Sequence, residues 1–171
     1  YDSRSQLLDV IPAPIITHFL KEAESPTYRG FPAAGFSFFP TRDPALREFA
    51  GDKGKRGVYI TNVEAGTPAN KAGLKVGDIV TAVGNHDIDE NGNYVDSLYG
   101  KIEFTNLLTA HAYAGDVVPF HVQRDGKPVQ LSLTLEHRDA KDYVSPPYYL
   151  DQPPKYYVLG GLIFQELSRQ Y

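Results

Sequence analysis

Carboxylates and amides alternate along Asp87-Ile88-Asp89-Glu90-Asn91-Gly92, the spacing with which a calcium loop aims successive oxygens at one ion before turning at a glycine. The pattern then fails. Counted from Asp87, the twelfth position, which should supply a bidentate glutamate, is Leu98, and no flanking helix is signalled. The segment reads instead as a solvated acidic turn. The five histidines, His18, His86, His111, His121 and His137, form no HxxxH or HExxH pair, so surface or rim positions are expected for them. No serine lies in a Gly-x-Ser-Gly-Gly setting with a matching histidine and aspartate. The absence of cysteine excludes disulfides, thiolate catalysis and cysteine-ligated metals. No catalytic residue, metal or cofactor is therefore expected.

The 171 residues are enough for one well-buried domain with flanking elements, and 42% hydrophobic with 22% charged residues is ordinary for a globular chain. A net charge of -4 with no Lys/Arg cluster argues against nucleic acid or an anionic membrane as partner. The longest apolar stretch, Val158 to Phe164, is far too short to span a bilayer. The chain begins Tyr-Asp-Ser-Arg, contains no methionine and shows no signal peptide, so it is expected to be a piece of a longer protein.

Ile15, Ile16, Phe19 and Leu20 recur at helical spacing behind Pro12 and Pro14, which predicts a short helix from Ile15 to about Ala23. Phe36 to Phe39 reads as a strand. Asp43-Pro44 opens and Gly51 closes a small helix. Val58 to Val63 and Ile79 to Val83 read as strands, and Lys101 to Ala112 as a helix with Ile102, Leu108 and either Phe104 or Thr105 facing inward. The clearest hairpin has Val118, Phe120 and Val122 alternating before Asp125-Gly126, and Val129, Leu131, Leu133 and Leu135 after it. Residues 139–155, rich in Pro, Tyr and charge, read as a linker whose tyrosines (Tyr143, Tyr148, Tyr149, with Tyr156 and Tyr157 beyond) cover an adjacent surface. Tyr156 to Phe164 is strand-like. Together these predict a small, partly open β-barrel capped by helices.

Gly66-Thr67-Pro68-Ala69-Asn70-Lys71-Ala72-Gly73-Leu74-Lys75-Val76-Gly77-Asp78-Ile79-Val80 has a local logic. Thr67 is expected to cap a one-turn helix, Ala69 and Ala72 to let it pack closely, Gly73 to end it left-handed, Leu74 to plug the core and Gly77-Asp78 to turn into the next strand. The stretch resembles the S/T-P-A-x-x-A-G-L-x-x-G-D-x-I signature of bacterial-type PDZ domains. The resemblance runs from about Tyr28 to Glu136. Ile11 to Leu20 looks like the last helix of a Deg/HtrA protease domain, and Tyr156 to Phe164 like the opening of a second PDZ domain in two-PDZ Deg-type proteases. It implies a mixed α+β, mainly β fold: a PDZ-like barrel or sandwich capped by two short helices, with an N-terminal helix and a C-terminal strand-like extension. The implied domains are 1–27, the end of a protease domain; 28–138, the PDZ domain; 139–155, the linker; and 156–171, the start of a truncated second PDZ domain.

In that family a peptide adds as a strand to a sheet edge, and its C-terminal carboxylate docks on backbone N–H groups. The matching loop here is Ala33-Ala34-Gly35-Phe36, continued by Ser37 and Phe38, with Ile102, Thr105 and Leu108 on the opposite wall and Phe104 and His111 beside them. Ala34 stands where a larger apolar residue is common, and Pro32 just before it removes an N–H donor. The implied partners are peptides or unfolded protein segments and an upstream protease domain, in a periplasmic or other extracytoplasmic setting. The alternative is an assembly module whose groove is filled by a neighbouring subunit or by its own tail, since Leu159 to Phe164 offers an unpaired apolar strand and a route to a homo-oligomer.

Overall fold

The computed structural model describes residues 11–51, 54, 56–139, 155–165 and 167. They fall into two compact units, Tyr1–His137 and Arg138–Tyr171. The tyrosines Tyr143, Tyr148 and Tyr149 lie outside the described residues.

The first unit opens with helix α1, Ala13–Ala23, which Pro12 and Pro14 start as expected. Strand β1 (Pro32–Ala33) pairs with β10 (Glu136–His137), bringing the two ends of the following domain together. An open sheet then runs in the order β2 (Phe36–Pro40), β3 (Val58–Val63), β4 (Ile79–Val83), β8 (Val117–Arg124) and β9 (Lys127–Thr134), with the short β5 (His86–Asp87) alongside β4. In its β8–β9 hairpin the two alternating sets expected from the sequence face each other: Val118 lies opposite Leu133, Phe120 opposite Leu131 and Val122 opposite Val129. Phe120, Val122, Leu133 and Leu135 are buried in the core with Val58, Ile60, Val80 and Leu74. Each such side chain contributes on the order of 2 kcal/mol by leaving water.

Helix α2 (Pro44–Phe49) follows β2, and Asp43 caps it by accepting the Ala45 N–H at 2.8 Å. Helix α3 (Pro68–Lys71) is the one-turn helix of the Gly66–Val80 signature, with Ala69 fully buried and Leu74 in the core behind it. Thr67, however, does not cap it. Its hydroxyl donates instead to the Glu64 carbonyl at 2.6 Å and lies 3.3 Å from the Gly35 carbonyl.

The expected Lys101–Ala112 helix divides in two. Gly100–Glu103 is strand β7, paired with β6 (Asn93–Asp96) so that Ile102 lies opposite Tyr94, and only Thr105–Thr109 is helical, as α4. The apolar spacing of Ile102, Phe104 and Leu108 suits a helix, but a β-branched residue facing a buried tyrosine on a neighbouring strand outweighs it.

The acidic turn is occupied by the fold itself. Asp89 accepts the N–H groups of Asn91 and Asn93, both at 2.9 Å, and lies 3.0 Å from the Lys101 ammonium. Gly92, at φ +85°, leaves room for the Phe38 ring and Val58, which a β-carbon would press at 3.1 Å. Asp87 pairs with Arg56. Burial works against the Asp89 charge, but the two amides and Lys101 prevail and hold its carboxyl below the usual aspartate range.

A second carboxylate is buried outright. Asp78, in the signature, is 1% exposed and accepts two hydrogen bonds from Arg124, each 2.7 Å, and one from the Lys75 N–H at 2.9 Å. Arg124 also donates to the Gly73 carbonyl, so one guanidinium ties the end of the long hairpin to the exit of α3.

The second unit is a hairpin. Tyr156–Leu159 (β11) and Leu162–Gln165 (β12) pair with each other across Gly160-Gly161, with Tyr157 opposite Phe164. The expected single unpaired strand is thus a folded-back pair, and every residue of both strands is exposed.

Arg124→Met should cost about 3 kcal/mol in urea unfolding, because it leaves the Asp78 carboxylate buried without its partner. Lys71→Met, which breaks the exposed pair with Glu136, should cost no more than about 0.5 kcal/mol. Because the Asp89 pKa is lowered by folding, its contribution is present above the unfolded aspartate value and fades as pH falls through the folded one. Asp89→Asn should therefore be less stable than the parent at neutral pH, and urea titrations should show that gap closing in acid.

Candidate functional site: a sheet edge beside a short helix

Strand β2 ends its sheet, bonded along one side to β3. What its other side presents follows from the ladder. Phe36 lies opposite Val63, and the Glu64 N–H donates to the Gly35 carbonyl at 3.0 Å, so the Phe36–Val63 pair is of the kind that exchanges no hydrogen bond. The Phe36 N–H and C=O consequently point away from β3. Phe38 lies opposite Ile60, whose own N–H donates to Asp78 and whose carbonyl accepts from Gly77, both toward β4. Phe38 therefore also turns its backbone groups outward. Between them the register shifts, with Thr61 as the extra residue on β3. The outer edge of β2 thus offers two donor–acceptor pairs, two residues apart, which is the repeat an added antiparallel strand requires.

The loop before β2 is fixed by its carbonyls. The Ala34 carbonyl accepts the Ala69 N–H of α3 at 2.9 Å, and the Gly35 carbonyl accepts from Glu64. In trans peptides the N–H opposes the C=O, and the described chain has no cis bond, so the Gly35 and Phe36 N–H groups face the other way, together. Gly35 is required on two counts. Its φ is +79°, and a β-carbon there would meet the Thr67 β-carbon at 2.3 Å. Pro32 is buried opposite His137 in the β1–β10 pair, and Ala33 lies opposite Glu136.

The opposite wall is α4. Its Cα atoms come within 8 Å of those of β1, and Phe104, immediately before it, stacks on Phe36 with ring centres 6.2 Å apart and lies 4.9 Å from Phe38. Phe36 and Phe38 thus share one face of β2, half-buried, while Ser37 and Phe39 are exposed on the other.

The structure brings Ala33, Ala34, Gly35, Phe36, Ser37 and Phe38 onto one loop and edge. Thr105 and Leu108 lie on the facing helix, with Leu108 buried and Thr105 half-buried. Ile102 stands on β7 instead of the helix, Phe104 is wholly buried as a core residue, and His111 is exposed. Half-buried Leu107 packs on the core from α4 but lines a cavity with Val83, His86 and Val118, away from β2. No sequence signal marks Thr67 as the hydroxyl behind the loop, since its position in the signature reads as a cap.

A protein-family model described as "PDZ domain" matches residues 32–135, more than half of the chain. Protease Do-like 2, chloroplastic, from Arabidopsis thaliana is 29% identical over 161 residues, covering 93% of this chain and 26% of that protein. Serine protease Do-like HtrA of Bacillus subtilis (strain 168) is 33% identical over 91 residues, 53% of this chain and 18% of the relative. Among solved structures, the HtrA-type protease AlgW with a decapeptide superposes with a TM-score of 0.51 at 19% identity, over 75% of this chain and 36% of that one. That likeness bears on the fold. The chain spans about a quarter or less of the length of these curated relatives. A signature around α3, an open sheet ending in β2 with α4 alongside, and a family match over both assign the chain to the PDZ domain family.

Proposed function

We propose that this chain is the peptide-binding regulatory region of an HtrA/Do-like serine protease, capturing extended segments, C-termini above all, by strand addition to β2. The observation that carries the reading is the outward set of the Gly35, Phe36 and Phe38 backbone groups beside α4. A peptide terminus meets two convergent N–H groups at Gly35 and Phe36, then ladder positions at Phe36 and Phe38. Its last side chain lies toward Phe36, Phe38, Thr105 and Leu108, a mainly apolar wall suited to an apolar residue, with Ala33, Ala34 and Ser37 completing the strand side. Ile102 supports the wall from β7.

On this reading residues 1–27 are the end of a protease domain and its linker helix, 28–138 form the PDZ domain, 139–155 link it onward, and 156–171 begin a second PDZ domain. The catalytic machinery belongs to the rest of the parent protein. Relatives whose names include chloroplastic and mitochondrial proteases widen the expected setting from the periplasm to organelles. An assembly role has one observation in its favour: Tyr157, Val158, Leu159, Leu162, Ile163 and Phe164 are all more than half exposed on the β11–β12 hairpin.

A few backbone hydrogen bonds at about 1 kcal/mol each and one apolar side chain at about 2, less the cost of association, give roughly micromolar affinity. Fluorescence anisotropy with labelled apolar-ending peptides should therefore show saturable binding that amidating the C-terminus weakens at least about tenfold, the loss of a charge-assisted contact. Binding indifferent to amidation would replace terminus capture by recognition of internal segments, and no binding with a self-associating chain would favour assembly. Gly35→Ala should abolish binding and lower thermal stability, and adding Thr67→Ala should not restore either, because the threonine β-carbon itself occupies the space.

A further inference from the structure

Helix α1 is docked on the rest of the first unit by a histidine whose ring makes no hydrogen bond. His18 is 3% exposed, and neither ring nitrogen has a hydrogen-bond partner. Its imidazole lies between two rings, 4.1 Å from Tyr113 and 5.0 Å from Phe31 between centres, with interplanar angles of 13° and 17°. A second tie runs in parallel. The Glu22 carboxylate accepts from the Arg29 guanidinium at 2.8 and 3.2 Å, and Arg29 donates onward to the Ala114 carbonyl at 2.7 Å. An imidazole always carries at least one N–H, so its burial here sets a standing desolvation penalty against the stacking and the ion pair that hold the helix. The rest of α1 adds little to the dock: Ile16 and Leu20 are exposed, and Phe19, also exposed, meets the Tyr28 ring edge-on at 6.1 Å.

The two rings that grip His18 adjoin, along the chain, the two walls of the groove. Phe31 immediately precedes Pro32 and the Ala33–Phe36 loop, and Tyr113 closely follows α4. The second tie is attached to the same two segments, at Arg29 and Ala114. The stack therefore ties the segment that leads into the loop to the segment that follows the helix.

We propose that α1 is a latch that senses groove width: an occupied groove spreads Phe31 from Tyr113 and releases His18, and a docked His18 holds the groove narrow. This rests on the groove being the peptide site. The unsatisfied imidazole keeps the latch weak enough to open. His18→Phe keeps the stack and removes the penalty, so it tightens the dock, whereas His18→Ala empties the slot and loosens it. Because coupling is reciprocal, the tighter latch must bind peptide less well.

The test is amide hydrogen exchange on the full chain, with and without a saturating apolar-ending peptide, alongside peptide affinities of the parent, His18→Phe and His18→Ala. Peptide should speed exchange across residues 15–24 at least about fivefold, and affinity should rise from His18→Phe through the parent to His18→Ala over a comparable range. Unchanged exchange in α1 at saturation, or equal affinities, would overturn the latch. A ligand-free arm separates this from the groove reading. Relative to His18→Phe, His18→Ala should speed exchange in residues 105–114 as well as in α1, and a change confined to α1 would defeat the proposal even if peptides bind. If no peptide binds any variant, the groove reading falls and the ligand-free arm alone decides the latch. Should His18→Ala fail to fold, Glu22→Gln cuts the second tie and takes its place in both arms.

Discussion

The carbonyls of Ala34 and Gly35 are turned inward onto α3 and the end of β3, and the rest of the candidate site depends on that anchoring. A planar trans peptide cannot aim its oxygen one way without aiming its N–H the other. Fastening two carbonyls to Ala69 and Glu64 therefore faces two N–H groups toward the groove with no side chain committed to the task. The tolerance is small. Thr67 fills the space behind Gly35, and α3 itself is held by the burial of Ala69 and by Arg124 gripping its exit at Gly73. The signature residues thus do more than fold a turn: they set the direction of the amides one strand away.

Several features were legible in the sequence because they are local. The β8–β9 register follows from alternation on either side of Asp125-Gly126, the α2 cap from Asp43-Pro44, and the α3 turn from its small residues and Gly73. The loop and edge of the site could be placed by resemblance to a motif. What was not legible is non-local. The Lys101–Ala112 stretch has helical spacing, and only the strand Asn93–Asp96 opposite it turns Gly100–Glu103 into β7. Nothing near Asp78 announces Arg124, 46 residues away, as its partner. The aromatic slot for His18 needs Phe31 and Tyr113, which meet only after the domain closes on itself.

The acidic turn shows how one spacing can serve two ends. Oxygens placed to face a cation are here placed to face amides, with Lys101 as the positive charge. The turn also matters to the groove, because Gly92 sits against the ring of Phe38 and lets that side chain stay on the inner face of β2. The carboxylates in it act as structure for the neighbouring wall.

The register shift in the β2–β3 pair has a consequence for self-association. The extra residue, Thr61, is on the inner strand, so the irregularity that twists the sheet does not interrupt the free margin of β2. That margin is also brief, since Pro40 closes it and contributes no donor. A five-residue margin is long enough for a short added strand, yet at this edge it offers a second copy of the sheet little ladder to zip against. At this edge the short strand limits how long a ladder can form, while the placement of the extra residue on the inner strand keeps that ladder unbroken.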